Sequence, residues 1–231
     1  KFMVNKKVIV ALDYNKFSNI ENLLNKIKDK IFGIKIGYEF FYNFGLEGYN
    51  KIEKQNTNIF LDLKLHDIPN TVKNGIKAIA NLNPYFTSIH IAGGDKMMQE
   101  AVDNKKNTKI LGISVLTSFN NNQVKKYYAR ENVNTLINEY AKCALENNLD
   151  GIVCSPHEIQ QVRNIVGNNL IIVTPGIRPA YYQKADDQKR FMTPMEAIKL
   201  GADYLVIGRP ITESTDPLNE INRINIEIEK Y

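Results

Sequence analysis

The stretch VIVALDYNKFSN, Val8 to Asn19, separates two architectures. Its apolar, β-branched opening, Val8 to Leu12, lacks the alternation of a strand with one wet face, so it reads as a strand covered on both sides, as parallel sheets with helices on each face require. An open doubly wound sheet that binds dinucleotides follows its first strand with a glycine-rich turn. Here the strand runs into LDYNKFSN, which contains no glycine, and that fold is set aside. Working outward, similar runs occur at Gly33 to Ile36, Asn58 to Leu63, Phe86 to His90, Lys109 to Val115, Gly151 to Cys154, Leu170 to Val173 and Tyr204 to Ile207. Segments with a 3.6-residue apolar period follow them: Asn19 to Lys30, Phe41 to Lys54, Asn70 to Leu82, Lys96 to Asn104, Thr135 to Asn147, Pro156 to Val166, Pro194 to Leu200 and Leu218 to Glu229. Eight β-then-α units predict an α/β protein built as a single-domain (β/α)8 TIM barrel over residues 1–231. Two intervals are longer than the rest. SFNNNQVKKYYAREN after strand five has room for a small extra helix, and Thr174 to Thr193 after strand seven forms a long loop suited to covering a site.

Composition narrows the function. A chain of 231 residues with 43% apolar residues buries enough surface to fold without disulfides or a structural metal. Its two cysteines, Cys143 and Cys154, form neither a disulfide framework nor a zinc pattern, which suits a reducing compartment. No apolar run reaches about 18 residues, and the first residues pass straight into strand-like sequence, so a soluble cytoplasmic protein without membrane contact is expected. The net charge of +5 is spread along the chain and carried mostly by lysine, a pattern that suits a solvated surface and argues against a nucleic-acid partner. Asparagines are numerous, and they fall mainly at helix ends and turns, where that side chain is tolerated.

In this architecture ligands meet the carboxyl ends of the strands. The polar residues there are Asp13 after the first strand, Lys35 near the end of the second, Asp62 and Lys64 ending the third with Asp67 just beyond, His90 ending the fourth, Thr117 and Ser118 after the fifth, and Arg209 after the eighth. On an extended strand Asp62 and Lys64 project to one face and Leu63 to the other. An alternating set Lys35, Asp62, Lys64 and Asp67 offsets the desolvation of each member. Such a set has a purely structural reading, as an ion-pair cluster. It also has a chemical one: a lysine kept protonated among carboxylates donates a proton at carbon, while an adjacent carboxylate repels a substrate anion.

Phosphate recognition is expected in the seventh and eighth βα loops. Gly208 permits close backbone approach, Arg209 offers a fork of donors and Gln188 an amide donor; Arg178 either adds a second cation or anchors the loop. Pro175 and Gly176 shape the turn. His66 is read as structural and His157 as a residue of a helix start, and three dispersed histidines do not specify zinc. A metal beside Lys35 and Lys64 would add to their repulsion, so none is expected.

These residues give the chain a close resemblance to the orotidine 5'-phosphate decarboxylase family. The segment FLDLKLHDIPNT, Phe60 to Thr71, contains the family's Asp-x-Lys-x-x-Asp-Ile-Pro-Asn-Thr pattern, accompanied in order by LDY, GIKIG, LTS, PGIRP, DDQKR and IGRP. The resemblance implies cofactor-free decarboxylation of orotidine 5'-monophosphate to uridine 5'-monophosphate and carbon dioxide. It places Asp62 against the departing carboxylate, Lys64 as stabiliser and proton donor at C6, Lys35 in the charged network and on the ribose, and Asp13 on a ribose hydroxyl. It puts Ser118 on the pyrimidine and Gln188, Gly208 and Arg209 on the phosphate, with His90 and Pro175 supporting the site at the mouth, and Pro175 and Arg178 are counted among the substrate-binding residues. It implies a homodimer in which Asp67 and Thr71 reach into the partner's site.

Two rivals remain. A magnesium-dependent sugar-phosphate decarboxylase of the 3-keto-L-gulonate 6-phosphate type shares the Asp-x-Lys-x-x-Asp strand but typically has a carboxylate where this chain has Lys35. A barrel that only binds a phosphorylated ligand would bind nucleotide without turnover.

Overall fold

The computed structural model describes residues 6–182 and 192–230. The strands are β1 (Val8–Ala11), β2 (Gly33–Ile36), β3 (Asn58–Leu65), β4 (Phe86–His90), β5 (Lys109–Ile113), β6 (Gly151–Val153), β7 (Ile171–Thr174) and β8 (Tyr204–Ile207), and all pair in parallel with their chain neighbours. The pairing of β1 with β8 closes the barrel. Around it lie α1 (Phe17–Ile27), α2 (Tyr38–Glu53), α3 (Pro69–Asn81), α4 (Asp95–Asp103), α5 (Asn121–Tyr128), α6 (Val133–Glu146), α7 (Ile159–Val166), α8 (Pro194–Lys199), α9 (Arg209–Thr212) and α10 (Pro217–Glu229). The expected extra helix after strand five is α5. The four-residue α9, which starts at Arg209, is too short to leave a periodic signature in sequence.

Alternation along each strand sorts the apolar residues into two layers. Ile9, Ala11, Phe60, Phe86, Leu111, Val173 and Val206 fill the inside of the barrel. Val8, Val10, Leu12, Ile34, Ile36, Ile59 and Leu61 face the helices. In α1 the spacing of Ile20, Leu23, Leu24 and Ile27 turns one stripe to that outer layer. Each such side chain contributes about 1.5–3 kcal/mol on full burial. Phe32, Tyr85, Phe86 and Tyr204 pack ring against ring at the amino ends of the strands and close the floor of the barrel. The floor is therefore largely aromatic, with Lys109 Nζ donating to the Tyr85 hydroxyl at 3.1 Å, and the Lys35, Asp62 and Lys64 charges gather at the opposite end.

Several asparagines do sit at helix ends and tight turns. Asn120 and Asn132 accept the backbone N–H groups of Gln123 and Thr135 as helix caps, and Asn56, Asn83 and Asn148 occupy left-handed backbone.

The strand β3 departs from a plain extended ladder. Its pairing with β4 runs Phe60 to Phe86 and Leu61 to Thr87, then resumes at Leu65 to Ile89, so β3 spends two more residues than β4 over that interval. Lys64 sits in this bulge with φ +48. The expectation that Asp62 and Lys64 share a face because the strand is extended is thus corrected: they meet because the backbone bulges and turns left-handed between them.

Candidate active site

The parallel register Ala11–Lys35–Phe60 places the Lys35 side chain inward, level with two residues of the barrel interior. Two residues further along β3, Asp62 also points inward and is 5% exposed. Lys64 Nζ donates to Asp62 Oδ2 at 2.7 Å, and Lys35 Nζ lies 3.4 Å from the same oxygen. The second oxygen, Oδ1, accepts the Ser88 hydroxyl at 2.7 Å. A buried carboxylate held by two ammonium groups and a hydroxyl has its desolvation largely offset. Burial acts to raise the Asp62 carboxyl, but the charges of Lys35 and Lys64 and the hydrogen bonds from Lys64 and Ser88 outweigh it and hold the group below the ordinary carboxylate value. Asp62 is accordingly ionised at neutral pH.

Left-handed backbone at a residue with a side chain costs of order 1–3 kcal/mol and persists only where its surroundings enforce it. At Lys64 two side chains do so. The Lys64 amide N–H donates to Ser88 Oγ at 2.9 Å, and the Tyr38 hydroxyl donates to the Leu63 carbonyl at 3.1 Å. The Lys64 ammonium also lies over the Tyr38 ring, 5.8 Å from its centroid.

His90, at the end of β4, stands beside His66, with ring centroids 5.3 Å apart. Burial, and then the neighbouring His66 and Lys64, hold the His90 imidazole below its ordinary pKa, which disfavours a further positive charge beside the lysines. The structure therefore unites Lys35, Asp62 and Lys64 and brings His90 near them. Asp67 is not joined to them within this chain: it is exposed, its Oδ1 accepts the Ile68 amide at 2.7 Å, and among the described residues it pairs with neither lysine. Thr71, in the first turn of α3, is exposed as well.

Asp13 follows β1 and is exposed, as is Ser118 in the turn before α5. Gly208 leads directly into α9, and Arg209, half-buried, is its first residue. Arg178 is 7% exposed; its Nη1 donates to the Ile177 carbonyl and its amide to Met192. Ile177 bridges to Met192 across the base of the long loop, and the Arg178 guanidinium lies over Tyr182. Of the two readings open for Arg178, these contacts favour an anchor of the loop. Gly176, after the half-buried Pro175, has φ +78, which a residue with a side chain adopts only with strain. Gln188 lies outside the described residues.

The family model for the orotidine 5'-phosphate decarboxylase / HUMPS family matches residues 6–224. The chain belongs to that family. It is 44% identical over 219 residues to the orotidine 5'-phosphate decarboxylase of Wolbachia sp. subsp. Brugia malayi, covering 94% of this chain and 96% of the relative. Among solved structures it resembles the orotidine 5'-phosphate decarboxylase from Lactobacillus acidophilus, with a TM-score of 0.84 and 36% identity over 96% of this chain and 99% of that one. The enzyme from Pyrococcus horikoshii OT3, at 22% identity and a TM-score of 0.78, shares the fold.

Two residues that touch this charged cluster were not singled out in the sequence, Ser88 and Tyr38. Ser88 had a usable signal: in FTSIH, Phe86, Ser88 and His90 alternate onto the inner face. Tyr38 had none, because its contact depends on how α2 sits against β3.

Proposed function

We propose that this chain decarboxylates orotidine 5'-monophosphate to uridine 5'-monophosphate and carbon dioxide without a cofactor. The observation that carries the reading is the buried, ionised Asp62 held between Lys35 and Lys64 at the carboxyl ends of β2 and β3. With C6 of the pyrimidine above Lys64, the substrate carboxylate stands against Asp62, and two like charges in a dry site destabilise the bound substrate relative to the transition state. The bond from C6 to the carboxylate breaks, its electron pair stays on C6 beside the Lys64 ammonium, and carbon dioxide leaves. Lys64 then transfers a proton to C6 and recovers one from solvent. Arg209 and Gly208 hold the phosphate, with Gln188 assigned to the same group on the resemblance alone; Asp13 holds the ribose and Ser118 the base. Binding energy from the remote phosphate drives closure and stabilises the transition state.

The same reading makes the working unit a homodimer. Asp67 and Thr71 are exposed, as are Ile68 between them in sequence and the ring pair Tyr38 and Tyr42, whose Tyr38 hydroxyl reaches the Leu63 carbonyl; Tyr38, Tyr42 and Ile68 are 50%, 86% and 67% exposed. Exposed apolar side chains this large, next to a site that lacks its fourth charged member, fit a second copy of the chain supplying Asp67. The chain is taken as one domain working in the cytoplasm, where the unpaired Cys143 and Cys154 stay reduced.

The family also includes sugar-phosphate enzymes, and Lys35 in place of a carboxylate favours the nucleotide substrate. The test is to incubate the purified protein with orotidine 5'-monophosphate in metal-free buffer with chelator. Formation of uridine 5'-monophosphate supports the reading. Absence of product, or strict dependence on magnesium, overturns it.

A further inference from the structure

The Leu63–Lys64 peptide group is gripped at both ends by side chains from other elements. Its N–H donates to Ser88 Oγ on β4 at 2.9 Å, and its carbonyl accepts the Tyr38 hydroxyl of α2 at 3.1 Å. These bonds stand where the ladder between β3 and β4 is interrupted, from Leu61 to Leu65. They hold the peptide whose orientation gives Lys64 its φ of +48 and so aims its side chain back at Asp62.

The Ser88 hydroxyl has no freedom left. The Lys64 amide can only donate, and an ionised Asp62 can only accept, so Ser88 Oγ takes the amide proton on a lone pair and gives its own proton to Asp62 Oδ1. Ser88 is 0% exposed, so water does not substitute for either bond. One side chain thus fixes the carboxylate and the backbone of the lysine beside it.

We propose that Ser88, assisted by Tyr38, is a positioning residue that holds Lys64 and Asp62 in register for decarboxylation. The inference rests on the proposed reaction for its kinetic readout, and on the clamp alone for a readout that needs no substrate. A buried serine whose only role is to satisfy its own hydroxyl would support folding and leave the chemistry of the site untouched.

The experiment compares the parent with Ser88→Ala, Ser88→Thr and Tyr38→Phe. Three quantities are followed: kcat and KM for orotidine 5'-monophosphate, the pH dependence of kcat/KM, and hydrogen exchange of the Lys64 amide in the free protein. In Ser88→Ala, kcat falls about 10²-fold, the loss expected for misplacement of a reacting group by about 1 Å, while KM stays within a few-fold. Its acidic limb moves to higher pH because Asp62 has lost a hydrogen bond. Ser88→Thr, which keeps the hydroxyl, recovers most of kcat. Tyr38→Phe keeps the ring and loses about 10-fold in kcat, the scale of one hydrogen bond. The Lys64 amide exchanges slowly in the parent and much faster in Ser88→Ala.

Parent-like kcat in both Ser88→Ala and Tyr38→Phe, or a loss in Ser88→Ala that falls on KM with the acidic limb unmoved, overturns the proposal. Should Ser88→Ala fail to fold, Tyr38→Phe at parent kcat overturns it and the predicted loss supports it. A parent inactive on this substrate refutes the proposed function instead. The exchange arm then still decides the clamp: a Lys64 amide that exchanges as fast in the parent as in the variant overturns it, and protection lost with the hydroxyl supports it.

Discussion

Lys64 reaches Asp62 at 2.7 Å through a left-handed turn of its own backbone, so the ion pair at the centre of the site is built on strain held in place by neighbouring elements. The two charges are only two residues apart along the chain, yet their geometry depends on β4 and α2.

Replacing Lys35 with Met tests the electrostatics of that pair. Burial pushes the Asp62 carboxyl up, and the Lys35 charge is the largest influence opposing it. Because the folded pKa is depressed, the carboxylate's contribution to stability is complete above the unfolded value of about 3.9 and is lost as pH falls through the folded value. Without Lys35 the Asp62 pKa rises, and the acidic limb of kcat/KM moves to higher pH along with a fall in rate. Full pH–rate profiles of both proteins check this, and an unmoved limb contradicts it.

Arg209→Ala is expected to weaken phosphorylated ligands selectively. Loss of a charge-assisted hydrogen bond of about 1.5–3 kcal/mol lowers affinity for uridine 5'-monophosphate roughly 10- to 100-fold, and leaves uridine unchanged. Calorimetric titration with both ligands measures the difference. Equal losses for nucleotide and nucleoside would contradict a phosphate role.

Much of the barrel was legible because eight apolar runs, each covered on both faces, alternate with amphipathic segments, and β2, β4 and β8 have the expected boundaries. The charged trio was legible as well, since Lys35, Asp62 and Lys64 stand at the carboxyl ends of their strands. The bulge was not: period-2 reasoning assumes regular pairing, and the shift between Leu61 and Leu65 is fixed by contacts with β4. The role of Ser88 was hidden for a similar reason, its partner Asp62 lying 26 residues away on another strand. Asp67 belongs with the trio in sequence pattern but not in this chain's geometry, where it is exposed and accepts the Ile68 amide; we propose that it serves a second copy.

That proposal about Asp67 has its own test by complementation. Mixed and allowed to exchange subunits, inactive Lys64→Ala and Asp67→Ala proteins form heterodimers with one intact site each, and activity recovers to about a quarter of the parent level. Titration of one variant into the other, followed by turnover, measures this. Activity that never exceeds the sum of the two variants contradicts a shared site.

At the opposite end of the barrel Arg163 ties three segments together. Its guanidinium donates to the Leu170 and Gly201 carbonyls at 3.2 and 2.6 Å and to Asp203 at 2.7 Å, and Asp203 in turn accepts the Ile172 amide at 2.7 Å. Arg163→Ala strips those carbonyls and Asp203 of their partner and is expected to cost about 2–4 kcal/mol of stability, with kcat of the folded protein within twofold of the parent. Urea unfolding beside turnover measures both, and a loss below about 0.5 kcal/mol, the usual range of a surface change, contradicts it.

The central claim is that Lys64, poised by Asp62 and Lys35, carries the carbanion and its protonation. Its most direct measurement is turnover of orotidine 5'-monophosphate by Lys64→Ala, with uridine 5'-monophosphate binding determined on the same preparation. The account predicts a fall in turnover of at least about 10⁴-fold, the upper range for loss of a positioned proton donor, in a protein that still folds and binds nucleotide. Turnover near the parent value would contradict it.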